Sequence, residues 1–450
     1  MHLNEHAVNA YNEKALTLLH NLVERPSAPL ANADPTWRPD IHIAATIPYQ
    51  DIRNLKTSRS DREGKETSKA FYHEGRTVEI SGDGYQTLKR VAEGIQRTPN
   101  FRDSVSVSVL TSSIFDWIEA RYKQVTAVSM TEYVLTQVEA KVQEYEVWIP
   151  IAATRAQSEF EFGNMRIQTI TRAMLDQWEA ESRQARPEAS SALDVFFQRW
   201  RKAILGLAAA TIQLRAEPQR AYELASAEAE RTLALLRCLS PCNCFPFTVS
   251  NSVPLGQEIS KGYKYFMTKE GRIAFSSSGF KHTPFDEWRI DNAALAVMRS
   301  FGMEKFSALL KEKKPTSFQK DLLHVLQLYG RSSTLKEPAD KLTYIFAPLE
   351  ALLIADRTQS VDDLADRLVM FVDKAPTGRK DALRTIRTVY ARRLSFVHGD
   401  LTRQDLETLE KFMVIAWTFF INVIGNANTY KSRPDFLNAI DNAKLSGGLA

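Results

Sequence analysis

The spacing of apolar residues divides the chain into a mixed α+β part and a helical C-terminal part. A stripe of leucines near the start predicts a helix over residues 1–25. The stretch from Arg53 to Lys69 has no aromatic residue and mixes six basic with three acidic side chains. That composition favours a solvated surface loop over an RNA-binding segment. Residues 1–128 are therefore expected to form a helical and loop-rich N-terminal region.

Strand patterns appear in the middle of the chain. Phe160 and Phe162 precede Gly163-Asn164, and apolar residues alternate again from Met165 onward, which predicts a β-hairpin. A second hairpin is predicted around Lys269-Glu270-Gly271. Three helices are predicted between the hairpins, over residues 170–184, 191–215 and 217–239. The region 129–287 is thus expected to be α+β, with a small antiparallel sheet.

Strand patterns end near Ile290, and helical spacing continues to the end of the chain. Six helices are predicted there, over residues 290–312, 316–330, 338–355, 360–373, 379–398 and 402–425. Glu337-Pro338 suits a helix start, and Thr402 with Asp405 forms a capping-box pattern. The predicted fold class is mainly α with a small antiparallel β component, in which an all-α bundle at 288–450 follows an α+β region.

Composition narrows the possible classes of protein. The 450 residues carry 58 Lys and Arg against 54 Asp and Glu, a net charge of +4. With 44% hydrophobic residues as well, the composition excludes a disordered chain, and the small net charge excludes a protein that coats nucleic acid through a pervasive basic surface. The first residues lack the pattern of a secretory signal, and the apolar run Phe412–Ile424 is short for a membrane span. We expect a soluble cytoplasmic protein without a membrane partner.

Three cysteines lie close together, at Cys238, Cys242 and Cys244. One interpretation is a metal site with His282 as a fourth ligand. Zinc sites usually contain paired Cys-x2-Cys spacings, and the sequence has no second pair. The favoured interpretation is therefore reduced thiols near a helix end, with neither a metal nor another cofactor.

The segment with the clearest chemistry is the helix that ends near Gly399. Its apolar stripe includes Ile386 and Tyr390, and helical phase places Arg393 within or beside that stripe. A buried arginine needs a partner or a function, and Glu350 is the candidate for a core ion pair. Arg393 and His398 point about 140° apart around one helix. Two helices packed across a twofold axis would bring both residue types into one cleft.

This segment resembles the HEPN family and, within it, the Apea-like HEPN domains, whose motif runs Tyr-x-x-Arg-Ser-x-x-x-His-Gly. Tyr390, Arg393, His398 and Gly399 fall in register with the motif. Two preceding helical elements of the family are matched by Leu349-Glu350-Ala351-Leu352-Leu353 and Asp366-Arg367-Leu368. The resemblance covers residues 290–440, about a third of the chain, and it identifies the bundle as HEPN-type.

The resemblance implies a metal-independent endoribonuclease with Arg393 and His398 as catalytic residues. RNA carries its own nucleophile in the 2′-hydroxyl, so the protein must supply proton transfer and charge stabilisation. An imidazole exchanges protons near neutral pH, and a guanidinium fits phosphate oxygens. Glu350 would orient Arg393, and Tyr390 would support the site. The products would be 2′,3′-cyclic phosphates and 5′-hydroxyls.

The divergence of Arg393 and His398 around the helix implies a homodimer through the bundle. The family implies a role in bacterial phage defence or as a toxin, with a protein partner or a phage-derived trigger at the N-terminal region. The substrate would be RNA, either tRNA or mRNA. Two features leave alternatives open. Arg392 gives a second possible register with His398, and Leu394 stands where the family usually has a small or polar residue. The competing hypothesis is a non-catalytic HEPN domain that binds RNA or serves as a dimeric scaffold.

Local charge favours contact with RNA beside the motif. Seven basic residues and one acidic residue lie between Lys374 and Arg393. Lys380, Arg384 and Arg387 share one face of the predicted helix. We therefore expect these three side chains to bind RNA, although runs of this kind are more often only solvated.

Overall fold

The structure is a computed structural model. It describes residues 2–26, 56–258, 263–269, 272–279, 284–285, 287–356, 358–372, 375–398 and 402–446. Only the backbone is described at residues 263–266, 268–269, 272–279, 284–285, 376, 394–398 and 445–446. The chain forms two compact units, Met1–Glu146 with Gln213–Leu224, and Val147–Ile212 with Ala225–Ala450. Most of the predicted middle region therefore belongs to the same unit as the bundle, and the three-part division stays a prediction.

The first unit combines a four-stranded antiparallel sheet with helices. The strands are β1 (Val23–Pro26), β2 (Thr57–Ser60), β3 (Glu66–His73) and β4 (Arg76–Ser81), in the order β1-β4-β3-β2. The helices are α1 (Glu5–His20), α2 (Gly82–Gln96), α3 (Pro99–Arg102), α4 (Val107–Tyr122) and α5 (Met130–Glu139). The core of this unit includes Phe71 from the sheet with Leu88 and Ile114 from the helices.

The prediction of a surface loop over residues 53–69 is wrong for residues 56–69, the described part of that stretch, because β2 and the start of β3 lie there. β2 is an edge strand, and all four of its residues are exposed. An edge strand with two solvated faces needs no apolar residues, so its sequence lacks the alternation that marks a half-buried strand.

A second four-stranded sheet lies in the middle of the chain. Its strands are β5 (Gln143–Pro150), β7 (Phe160–Phe162), β8 (Met165–Thr169) and β9 (Ala208–Ala216), in the order β5-β9-β8-β7. The short strand β6 (Thr154–Ala156) follows β5 in the chain and is not part of this sheet. The predicted first hairpin is confirmed, with Phe162 opposite Met165. Gly163 makes the turn with φ of +60°, and a Cβ there would lie 2.8 Å from the Leu310 side chain.

Three helices follow in this region, α6 (Arg172–Ala185), α7 (Ser190–Ile204) and α8 (Pro218–Arg237). Of these, α6 and α8 match the helices predicted over 170–184 and 217–239. The expected helix over 191–215 is wrong in its second half, because Gly206 adopts φ of +81° and the chain continues as β9. Ala208, Ala209 and Ala210 favour a helix locally. They are fully buried in the sheet instead, so tertiary packing overrides their local preference.

The remaining strands are β10 (Val249–Ser250), β11 (Tyr263–Lys269), β12 (Arg272–Gly279), β13 (Pro284–Phe285) and β14 (Trp288–Ile290). β11 and β12 pair in antiparallel register, which confirms the second predicted hairpin. β14 pairs with β6 in parallel register. The middle of the chain is therefore α+β, as the sequence predicted.

The C-terminal part is an all-α bundle, as predicted. Its helices are α9 (Asn292–Ser300), α10 (Met303–Lys311), α11 (Ser317–Ser332), α12 (Pro338–Leu353), α13 (Val361–Leu368), α14 (Pro376–His398), α15 (Arg403–Val423) and α16 (Arg433–Ser446). The single helix expected over 290–312 is broken at Gly302, which has φ of +85°. Pro338 begins α12, and Thr402 with Asp405 forms the predicted capping box of α15.

An ion pair formed by the buried Arg367 side chain joins three helices of the bundle. Arg367 on α13 donates two hydrogen bonds to the Asp441 carboxylate on α16, at 2.9 and 2.8 Å. The same guanidinium donates to the Leu353 carbonyl at the end of α12, at 2.6 Å, and to the Gln359 side chain at 2.8 Å. Because the Arg367 side chain is only 7% exposed, these four bonds fix α12, α13 and α16 around one point.

Among the described residues, one helical segment, Arg403–Asn426, is long and apolar enough to cross a membrane. It extends beyond the apolar run Phe412–Ile424, which by itself is short for a membrane span. Half of its most apolar window is buried inside the protein. Phe412 and Phe419 are among its fully buried side chains. The segment therefore packs as a core helix of the bundle, and a core helix can satisfy the same criteria of length and composition.

Candidate functional site

The motif lies at the C-terminal end of α14. Ala382, Ile386 and Val389 are buried and hold one face of this helix against the bundle. Arg393 follows Ile386 by seven residues, so it lies in line with the buried face. Its side chain is nevertheless exposed, and the expectation of a buried arginine is wrong.

A groove in front of Arg393 explains this exposure. It lies between α12 and α14 and has a volume of about 420 Å³. Its lining residues are spaced along one face of α12 and the end of α14, namely Ala339, Leu342, Thr343, Phe346, Ala347, Glu350, Tyr390 and Arg393. Two alanines and a threonine on α12 leave room that larger side chains would fill, so α14 is open to solvent at Arg393.

Stacked aromatic rings hold the Arg393 guanidinium in place. Its central carbon lies 4.0 Å from the centre of the Tyr390 ring. Tyr390 contacts Phe346 edge to face, with ring centres 5.3 Å apart, and Phe346 stacks on Phe412 at 4.7 Å. A guanidinium over an aromatic face keeps its charge and its N–H groups. Tyr390 thus contacts the Arg393 guanidinium directly, and its supporting role in a site stays a prediction.

Glu350 lines the same groove but does not pair with Arg393 within the described part of the chain. The expected core ion pair is therefore not found there. Arg393 instead stacks on Tyr390, and Glu350 is exposed on the last turn of α12. The groove thus carries one positive and one negative side chain that face solvent rather than neutralise each other.

Arg392, the alternative member of the motif, occupies a different environment. It forms an ion pair with Asp405 at the start of α15. Hydrogen bonds from Thr402 lower the pKa of Asp405, and the bond from Arg392 lowers it further. Arg392 therefore fastens the end of α14 to the capping box of α15, whereas Arg393 faces the groove.

The basic face of α14 is exposed but partly neutralised. Lys380, Arg384 and Arg387 are all exposed, as the helical phase predicted. Arg387 pairs with Asp362 on α13 at 2.7 Å, and Arg384 approaches Asp381 at 3.9 Å. Asp381 is part of α14 itself, whereas Asp362 is contributed by α13 and reduces the local positive charge below the value that the sequence of α14 alone indicates.

His398 is the last residue of α14, and its backbone is helical. Its side chain lies outside the described part of the structure, as do Gly399 and the side chains of Leu394 and Phe396. The sequence positions alone separate Arg393 and His398 by about 140° around the helix.

The sequence indicated Arg393, Glu350 and Tyr390 but not the other residues that line the groove. Thr343 and Phe346 precede Glu350 by seven and four residues, so the same helical spacing that marks a face of α12 identifies them. Such a pattern is also typical of an ordinary core helix. Only the packing of α12 against α14 shows which of these residues line an open groove.

The cysteines lie in a buried environment. Cys238 and Cys242 are buried and Cys244 is half-buried. Burial raises the pKa of the Cys238 thiol to about 12 and that of Cys244 to about 11, so both remain protonated at neutral pH. The described residues contain no group of three or more metal-ligating side chains, and His282 lies outside them.

Comparisons with known proteins gave no match to a family model, to a curated protein or to a solved structure.

Proposed function

We propose that the C-terminal bundle is an HEPN-type endoribonuclease that needs no metal ion. The observation that carries the proposal is the position of Arg393. Its guanidinium is stacked on Tyr390, exposed to solvent and directed along a groove on a helical bundle. His398 lies five residues further along the same helix. This arrangement supports the family resemblance because a phosphate-binding side chain and a proton-transfer side chain lie at one end of α14.

The chemistry needs only groups that RNA and this chain provide. The ribose 2′-hydroxyl loses its proton and attacks the adjacent phosphorus, while the bond to the 5′-oxygen breaks and that oxygen takes up a proton. His398 is assigned to proton transfer, and Arg393 to the charge that develops on the phosphate oxygens. The products are a 2′,3′-cyclic phosphate and a 5′-hydroxyl, and DNA, which lacks the nucleophile, is not cut.

The active species in this proposal is a homodimer. Because Arg393 and His398 diverge around one helix, a twofold axis beside α14 is needed to bring an arginine of one copy towards a histidine of the other. Lys380, Arg384 and Arg387 from both copies would then border the cleft and bind the RNA backbone.

The wider role is also a proposal. The cytoplasm is the proposed location, because tRNA or mRNA is available there. The part of the chain before the bundle is proposed to receive a protein partner or a phage-derived trigger, which fits a bacterial defence or toxin effector. No cofactor and no membrane partner are invoked.

A non-catalytic HEPN domain that binds RNA or forms a dimeric scaffold is the alternative. Leu394 favours it, since an apolar residue follows the arginine where the family usually has a small or polar one. The pairing of Arg387 with Asp362 favours the scaffold form of this alternative, because a neutralised side chain contributes less to phosphate binding.

Incubation of the full chain with total RNA in EDTA tests the proposal. We expect cleavage by the wild type, loss of cleavage in Arg393→Ala and His398→Ala, and a smaller effect in Arg392→Ala. Arg403→Ala is the matched control, since this exposed arginine on α15 pairs with Glu407 four residues further along and has no other ion pair among the described residues. Wild-type rates in both motif variants would show that the site is wrong.

A further inference from the structure

The groove between α12 and α14 has the composition of a nucleobase pocket. Leu342, Phe346 and Ala347 line it with apolar atoms of α12, and the Tyr390 ring lies beneath the Arg393 guanidinium at its other side. A volume of about 420 Å³ lies within the usual range for pockets that hold one small ligand. Bases bind to proteins through apolar or aromatic contact with their faces and hydrogen bonds to their edges. The groove therefore needs a polar group that can read the edge of a base.

Glu350 is that group. It lies on the same face of α12 as Phe346 and Ala347, and its carboxylate is exposed in the groove. Within the described residues it has neither an ion pair nor a side-chain hydrogen bond, and the nearby Arg393 stacks on Tyr390 instead. An ionised carboxylate accepts hydrogen bonds through two adjacent oxygens and donates none.

Only one RNA base matches two adjacent acceptors. Guanine presents two neighbouring donors, N1–H and the N2 amino group, on its Watson–Crick edge. Adenine and cytosine place a ring nitrogen acceptor beside their amino group, and that lone pair would face the second carboxylate oxygen. Uracil has one N–H between two carbonyl oxygens. A carboxylate in this groove therefore discriminates for guanine and against the other three bases.

We propose that this groove binds a guanine next to the scissile phosphate, with Glu350 as its specificity-determining residue. The inference rests on the proposed nuclease function for its biological meaning, while guanine binding itself can be measured without cleavage. Glu350 accepts from N1–H and N2–H, the apolar surface of α12 contacts the base, and Arg393 faces the phosphate. In this proposal Glu350 contacts the substrate directly. This role replaces the one expected from the sequence, in which Glu350 orients Arg393.

Binding of the four nucleoside 3′,5′-bisphosphates to the full chain tests the proposal, since these probes carry a phosphate on either side of one base. We expect the guanosine compound to bind about tenfold more tightly than the other three, as a bidentate base contact generally provides. Glu350→Gln should abolish this preference, because the amide replaces one acceptor with a donor. Glu410→Gln, the same change at an exposed position on α15, should keep it. Equal affinities in the wild type, or a preference that survives in Glu350→Gln, would overturn the assignment.

Sequencing of cleavage ends separates this proposal from the nuclease proposal. If Glu350 reads guanine, Glu350→Gln changes which sites are cut. If it only orients Arg393, all sites are cut more slowly in the same proportions, and the guanine assignment fails. RNA cleavage by the wild type without guanine beside the cut site would likewise refute the assignment while leaving the nuclease intact. Guanosine-selective binding by a protein that cuts no RNA would support the groove and refute the nuclease.

Discussion

Replacement of Arg367 by alanine tests the packing on which the groove depends. The Arg367 guanidinium joins the Asp441 carboxylate, the Leu353 carbonyl and the Gln359 side chain through four hydrogen bonds. Leu353 is the last residue of α12, the helix that carries Glu350. Arg367→Ala removes all four bonds and leaves a buried carbonyl without its donor. The variant should therefore lose stability and loosen the end of α12.

The size of the loss follows from burial. Removing one partner from a fully buried ion pair costs about 3–5 kcal/mol, because the other charge stays desolvated. The Arg367 side chain is 7% exposed, but that of Asp441 is 43% exposed, so water can solvate the carboxylate that remains. We therefore expect a decrease in the free energy of unfolding of about 2–3 kcal/mol, close to the cost of an unsatisfied buried acceptor plus one charged hydrogen bond.

Urea unfolding of the full chain, followed by tryptophan fluorescence, measures this change. Arg403→Ala serves as the control, because its ion pair with Glu407 joins side chains that are 93% and 57% exposed. An exposed pair of this kind contributes less than about 1 kcal/mol. If Arg367→Ala and Arg403→Ala shift the urea midpoint equally, the reasoning on the buried pair is refuted.

The same ion pair gives a pH dependence of known sign. The hydrogen bonds from Arg367 lower the pKa of Asp441 below its ordinary value. A carboxyl group whose pKa is lowered by folding binds fewer protons in the folded state than in the unfolded state. Its contribution is therefore present above the unfolded pKa of about 3.9 and is lost as the pH falls through the lower folded pKa. The stability difference between wild type and Arg367→Ala should accordingly shrink in acid.

Two further predictions concern packing and the proposed dimer. Gly330→Ala should lower the free energy of unfolding by about 1–3 kcal/mol, since the new Cβ would lie 1.8 Å from the Ala234 carbonyl oxygen. The control Gly425→Ala should be tolerated, because its Cβ would meet the flexible end of the Lys305 side chain, and equal urea midpoints for the two variants would contradict this reasoning. Phe396→Asp should weaken dimerisation, measured by sedimentation, together with RNA cleavage, because it would place a charge in the proposed interface. The control Val297→Asp, at an exposed position on α9, should change neither. A monomer that cuts RNA at the full rate would exclude the dimer.

The sequence was sufficient where local chemistry determines structure. Gly163 marks a hairpin turn, Thr402 and Asp405 mark a helix start, and aromatic residues at helical spacing mark the bundle core. It failed at β2 and β9. β2 is an edge strand with no buried residue, and β9 contains an alanine run whose helical preference is overridden by its place inside a sheet.

The candidate site shows the same limit. Helical phase correctly placed Arg393 in line with Ile386, but it could not show that small side chains on α12 leave that position open. Exposure depends on the residues of the facing helix, and a single sequence does not pair two helices. For the same reason the stacking on Tyr390 and the engagement of Arg392 by Asp405 became visible only in three dimensions.

The most direct test of the central claim is the chemistry of the RNA ends that the purified wild-type protein produces in EDTA. The proposed mechanism predicts 2′,3′-cyclic phosphates and 5′-hydroxyls, no cleavage of DNA of the same sequence, and no such ends with His398→Ala. Fragments with 3′-hydroxyl and 5′-phosphate ends, or cleavage that stops when EDTA is added, would contradict it.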